Sequence, residues 1–169
     1  IGCMSPQSNG NLLVSGIFSK ANGVTLNGLA RLLPDGALDT NFMHRLEPSI
    51  VNSVASLPNG KILCALHLIT DISNGQPVKS ASKLLRLNSD GSEDKSFTVP
   101  LGPKARIVGI AVDRRGNAYV AGYAFTSPAG VDMPALLRFN SRGIYDARFK
   151  PALPPSYSPK NAPTLLPSG

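Results

Sequence analysis

Apolar and polar residues alternate along this chain in short stretches, most of them four to eight residues long and closed by glycine-bearing turn signals. NSVASL from Asn52, KILCALHL from Lys61, SKLLRL from Ser82 and IVGIAV from Ile107 are examples. Such runs predict β-strands. No stretch keeps a helical 3.6-residue period over ten residues with a cap, so helices are not expected. Asn-Gly pairs begin at Asn9, Asn22, Asn27, Asn59 and Asn74. They supply the positive φ that tight hairpin turns demand.

The pattern repeats. RLLPDGALDTNF from Arg31, RLNSDGSEDKSF from Arg86 and RFNSRGIYDARF from Arg138 share R-[LF]-x-x-[DR]-G-x-x-D-x-x-F at offsets of 55 and 52 residues. An upstream turn carries Gly10, Gly60 and Gly116. Each unit resolves into a strand before that turn, an alternating strand after it, a variable polar connection, a third strand before the second turn, and a fourth ending in phenylalanine. Four antiparallel strands in tandem units of this size describe β-propeller blades. The expected fold is all-β: a partial β-propeller of three four-stranded antiparallel blades at 1–49, 50–105 and 106–150. A Pro-rich connection and the first strand of a fourth blade would follow at 151–169. TLLPSG at the end places Gly169 where a fourth copy of the upstream turn would start, so the missing blades are expected elsewhere in the protein or on another chain.

PNGKIL from Pro58, and SGIF, KANG and LARLLPDGALDTNF in the first unit, resemble delta-60 repeats, a family of bacterial β-propeller repeats. The second unit departs at Ala65, read against Gly16 and Gly122, and the third at Arg142, read against Asp35 and Asp90. The resemblance implies a propeller platform without an assigned activity, in a secreted or cell-envelope setting.

The repeated arginine and aspartate invite a catalytic or metal reading. If each P-D-G, S-D-G or S-R-G triplet is a three-residue hairpin loop, however, Arg31 lies opposite Asp39, Arg86 opposite Asp94 and Arg138 opposite Asp146. Such cross-strand pairs contribute roughly 0.2–1 kcal/mol each. Phe42, Phe97 and Phe149 are expected to pack between neighbouring blades, since a blade cannot bury its faces alone. A calcium loop needs several converging oxygens, and Arg142 replaces one carboxylate in the third copy. Cys3 and Cys64 lack zinc spacing, and their pairing cannot be read from the sequence. His44 and His67 belong to no hydrolase, zincin or phosphate-binding motif. No catalytic residue, metal or cofactor is expected.

Composition changes this picture little. Glycine (16) and proline (15) are abundant in the 169 residues, as a turn-rich chain requires, and tryptophan is absent. The net charge of +7 would favour anionic partners, but lysines and arginines are scattered rather than gathered with stacking aromatics, which argues against nucleic acid. No apolar run reaches the roughly 18 residues of a membrane span. Binding residues gather on connections carried by rigid frames. The connections between second and third strands therefore hold the candidate interaction residues: Lys20 and Asn22, Asp71 and Asn74, Ser127 and Asp132. The expected function is a non-catalytic interaction platform, a scaffold or accessory subunit binding protein partners. A carbohydrate-binding propeller is the alternative, weakened by tyrosines that do not recur between units.

Overall fold

The computed structural model describes residues 1–42, 46, 49–73 and 76–153, with 69–73 and 76–81 described by their backbone alone. Eleven strands and no helix occur among them: β1 (Cys3–Pro6), β2 (Leu12–Ser15), β3 (Lys20–Ala21), β4 (Val24–Thr25), β5 (Leu29–Leu32), β6 (Ile50–Ser56), β7 (Ile62–Ser73), β8 (Gln76–Leu87), β9 (Arg106–Val112), β10 (Ala118–Tyr123) and β11 (Leu136–Phe139). They form three antiparallel three-stranded sheets, ordered β1-β2-β5, β6-β7-β8 and β9-β10-β11, with β3-β4 as a separate hairpin.

The same turn closes both hairpins of every repeat. In the upstream turns the Gly10, Gly60 and Gly116 N–H groups donate to the carbonyls of Gln7, Leu57 and Asp113. In the downstream turns Gly36, Gly91 and Gly143 donate to Leu33, Asn88 and Asn140. All six glycines have φ between 79° and 93°, the left-handed region a three-residue hairpin loop requires at its last position.

Four-stranded sheets were expected, and the fourth strand is not formed among the described residues. In its place stand single bridges, Leu32↔Leu38, Leu87↔Glu93 and Phe139↔Tyr145. The cause is the aspartate one residue further on. Asp39, Asp94 and Asp146 each accept, through Oδ1, the N–H of the residue two ahead (3.0, 3.1 and 3.0 Å), and that turn bends the chain before pairing can continue. Of the expected fourth blade, residues 154–169 lie outside the described residues.

The strand register also corrects the reading of Ala65. A bulge interrupts β6 opposite Ala65 and Leu66, and a corresponding one lies between Ala121 and Gly122 of β10. Directly after it Leu66 pairs with Val51 and Gly122 with Ile107, so Leu66, not Ala65, occupies the position of Gly122.

The middle sheet is buried on both faces, which explains why ILCAL reads as continuous apolar sequence. Ile62, Cys64, Leu66, Leu85 and Leu87 pack toward the first sheet with Leu13, Leu29 and Phe42. Leu63, Ala65 and Leu84 pack toward the third sheet with Ile107, Val120, Phe125, Leu137 and Phe139. The leading strands β1, β6 and β9 stand side by side, and polar contacts link them. Ser5 Oγ accepts from the Ser56 N–H (3.0 Å), Asn52 Nδ2 donates to the Ile107 carbonyl (3.2 Å), and Ser53 Oγ accepts from the Ile110 N–H (3.2 Å).

Candidate functional site

Each copy of the repeated motif folds into a cluster of arginine, aspartate and phenylalanine, and its spacing follows from backbone geometry. The three-residue loop sets the arginine across from the aspartate. Arg31 Nε lies 2.8 Å from Asp39 Oδ2, Arg86 Nε 2.8 Å from Asp94 Oδ2, and Arg138 Nε 3.0 Å from Asp146 Oδ2. The aspartate's other oxygen caps the following turn. That turn closes with the phenylalanine N–H donating to the aspartate carbonyl, at 3.2, 3.1 and 3.1 Å. It brings each ring beneath its arginine, with guanidinium-to-centroid distances of 4.4 Å for Phe42, 4.5 Å for Phe97 and 4.8 Å for Phe149.

The arginines also reach beyond their own repeat. Arg31 Nη1 donates to the Ser89 carbonyl and Arg86 Nη1 to the Ser141 carbonyl, both at 2.5 Å. Ser89 and Ser141 occupy the same position of the turn in the next repeat, so each arginine ties its sheet to the following one. No signal in the sequence marked this contact, because a main-chain acceptor leaves no residue preference.

Arg142 causes no gap in the third copy. Asp35 and Asp90 accept the N–H groups of Ala37 and Ser92, whereas in the third copy Asn140 Oδ1 accepts those of Arg142 and Ile144, each at 3.0 Å. The asparagine does the work of the absent aspartate.

Electrostatics separates the copies. Asp94, with 8% of its side chain exposed, accepts from Lys61 Nζ at 2.6 Å as well as from Arg86 and Ser96. Lys61 first, then Ser96 and Arg86, hold its carboxyl well below the ordinary carboxylate range, against the opposing effect of burial. Asp146 is also lowered, chiefly by Arg138. A carboxyl depressed in the folded chain contributes stability that is complete above its unfolded pKa, near 4, and is lost as pH falls toward the folded value. Asp94→Asn should therefore be less stable than the parent at neutral pH. The two stabilities should converge on acidification, which denaturant melts at stepped pH will measure.

Of the connection residues, Lys20 lies on β3 and Asn22, with φ of 48°, begins the two-residue β3-β4 turn completed by Gly23. Asp71 pairs with Lys79 through its backbone, between two irregularities of the β7-β8 ribbon. Ser127 opens a turn closed by Gly130 and Val131, beside the Thr126↔Asp132 bridge. Asn74 and His44 lie outside the described residues. The folding brings Arg, Asp and Phe together in each copy. His67 sits on β7, its pKa lowered by burial and by the positive charge of Arg106.

Two mainly apolar grooves are lined by the described residues. One, of about 620 Å³, is lined by Leu46, Leu66, Leu68, Leu85 and Leu87 with Lys83 and Glu93 at its rim. The other, of about 490 Å³, is lined by Pro100, Pro128, Met133, Phe139, Ile144 and Tyr145.

Both cysteines are free. Burial pushes the Cys64 thiol up to about 12, and a thiol in that state is neither nucleophilic nor a metal ligand at neutral pH. A thiol reagent should modify Cys3 in the folded protein and reach Cys64 only on unfolding. Among the described residues no three histidine, cysteine, aspartate or glutamate side chains gather as metal ligands, and no helix is long and apolar enough to cross a membrane.

Residues 7–42 and 78–97 match the family described as a domain of unknown function (DUF5122) beta-propeller. Residues 102–124 match a second family, described as a beta-propeller repeat. No curated protein matches the chain. The matched segments include the upstream turns of the first and third repeats and the arginine-aspartate-phenylalanine clusters of the first two, and three antiparallel sheets without a helix among the described residues fit the β-propeller repeats that these families describe.

Proposed function

We propose that this chain is a non-catalytic interaction platform, a scaffold or accessory subunit that holds a protein partner in a secreted or envelope assembly. One observation carries the reading: the frame is constant and the connection after the second strand is not. Both turns close with the same backbone hydrogen bonds in every repeat, and the bond from arginine Nε to the facing aspartate recurs in all three. The variable connection takes a different form each time: the β3-β4 hairpin, an extension of the β7-β8 ribbon, and the turn at Ser127 to Val131. Rigid frames with divergent connections at one place are how scaffolds present binding residues. The location rests on the resemblance to delta-60 repeats alone. A carbohydrate-binding role has less support, since Tyr123 is the exposed aromatic beside these connections and has no counterpart in the other repeats.

Cross-linking of the native assembly followed by mass spectrometry tests the platform. Cross-links to one stoichiometric protein partner should fall in 19–28, 69–81 and 124–135, and replacing 19–27 by a glycine-serine link should weaken its retention. Cross-links spread evenly over the frame, or saturable glycan binding without a protein partner, would contradict it.

A further inference from the structure

The variable connection of the third repeat lines a mainly apolar groove of about 490 Å³. Pro100, on the chain leaving the second repeat, and Phe139, Ile144 and Tyr145 of the third complete the lining, so the groove lies at the junction of these two repeats. The connection is ordered by its own bonds. Ser127 N–H donates to the Val131 carbonyl (2.8 Å) and Met133 N–H to the Phe125 carbonyl (2.9 Å), around the Thr126↔Asp132 bridge. Thr126 N–H also donates to the Leu101 carbonyl (3.1 Å), which ties the connection to the chain beside Pro100. Gly102 permits that approach, because a Cβ there would collide with Thr126 Oγ1. Two large apolar side chains of the lining stay exposed, Val131 at 64% and Ile144 at 56%. Asp132 is the one charged side chain in the lining, and none of the ion pairs among the described residues uses it. Ser127 Oγ already accepts the Val131 N–H at 3.2 Å. An apolar groove with a single carboxylate offers a sugar few hydrogen-bonding groups. It matches an apolar side chain with a cation next to it.

We propose that this groove takes an extended segment of a protein partner, seating one bulky aliphatic or aromatic side chain against Val131 and Ile144 and setting an adjacent lysine or arginine against Asp132. The inference deepens the platform reading and rests on it. Covering Val131 and Ile144 supplies affinity, because apolar surface leaves water, and Asp132 fixes the register of the segment. The ordered connection strengthens binding further, since little loop freedom is lost when the segment docks.

Selection of short random peptides displayed on phage against the purified protein tests the groove. Enriched peptides should share a bulky apolar residue with a lysine or arginine close beside it. In titration calorimetry with an enriched peptide, Ile144→Asp and Asp132→Lys should each weaken binding at least about ten-fold, equivalent to about 1.4 kcal/mol. Both side chains are exposed, so each variant should fold as the parent does, which circular dichroism melts check. A charge swap reads the role of Asp132 directly. Replacing the peptide's cation by glutamate should abolish binding to the parent and restore it to Asp132→Lys. No enrichment, enriched peptides without a cation, binding that survives both variants, or a swap that restores nothing would each overturn the proposal. Cross-links of the native assembly keep the two readings apart. A partner cross-linked at 19–28 and 69–81, with no peptide held at the groove, strikes the groove alone. The absence of any stoichiometric protein partner strikes the platform reading, and the groove with it.

Discussion

Arg86→Ala is expected to lower the stability of the protein by about 3 kcal/mol, the scale on which breaking a buried ion pair destabilises a fold. For a chain of this length that corresponds to a fall of roughly 10 °C in Tm. Three losses coincide. Asp94 stays buried with Lys61 as its remaining cation, Phe97 loses the guanidinium 4.5 Å above its ring, and the Ser141 carbonyl loses its donor. Arg86→Lys should recover only part of the loss. An ammonium can face Asp94 but cannot fork to two acceptors while stacking on a ring. Chemical denaturation followed by circular dichroism measures both.

A comparable loss should follow from adding one carbon atom at Gly122. A Cβ there would lie 2.0 Å from the Arg106 carbonyl oxygen and 2.4 Å from Phe125 Cζ, and Phe125 is 1% exposed. The carbonyl belongs to the paired strand β9 and cannot move without breaking its register. Gly122→Ala should therefore cost about 3 kcal/mol, at the upper end of overpacking effects. Truncating Phe125 in the same chain should not restore it, because the backbone clash persists. The first repeat has a close approach at the corresponding Gly16, where a Cβ would lie 2.8 Å from the Gly2 nitrogen, whereas the second repeat carries Leu66 there.

Those two residues mark how far the sequence could be read. The R-x-x-x-x-G-x-x-D-x-x-F period carried the repeat, the turn type and the facing of Arg31 with Asp39, because hairpin geometry converts loop length directly into cross-strand register. The number of paired strands was not legible. Whether Asp94 continues a strand or caps a turn depends on a side chain bonding to a main-chain N–H two residues on, and both outcomes share the same residue types. The counterpart of Gly122 was legible: Leu66 stands six residues after Gly60, as Gly122 does after Gly116 and Gly16 after Gly10, and Ala65 is one residue short of that position. The tie from each arginine to the next repeat stayed invisible because its acceptor is a backbone carbonyl.

That tie is the centre of the account: the arginine joins repeats and does not serve its own hairpin alone. The direct test is the stability of Arg31→Ala, Arg86→Ala and Arg138→Ala, measured side by side by denaturant unfolding below the concentration of any self-association. All three lose an ion pair and a ring contact, and among the described residues the first two also lose a bond to the following repeat. The expected losses are about 3 kcal/mol for Arg86, somewhat less for Arg31, and the smallest for Arg138, whose ion pair is the most exposed of the three. Three equal losses would contradict the account.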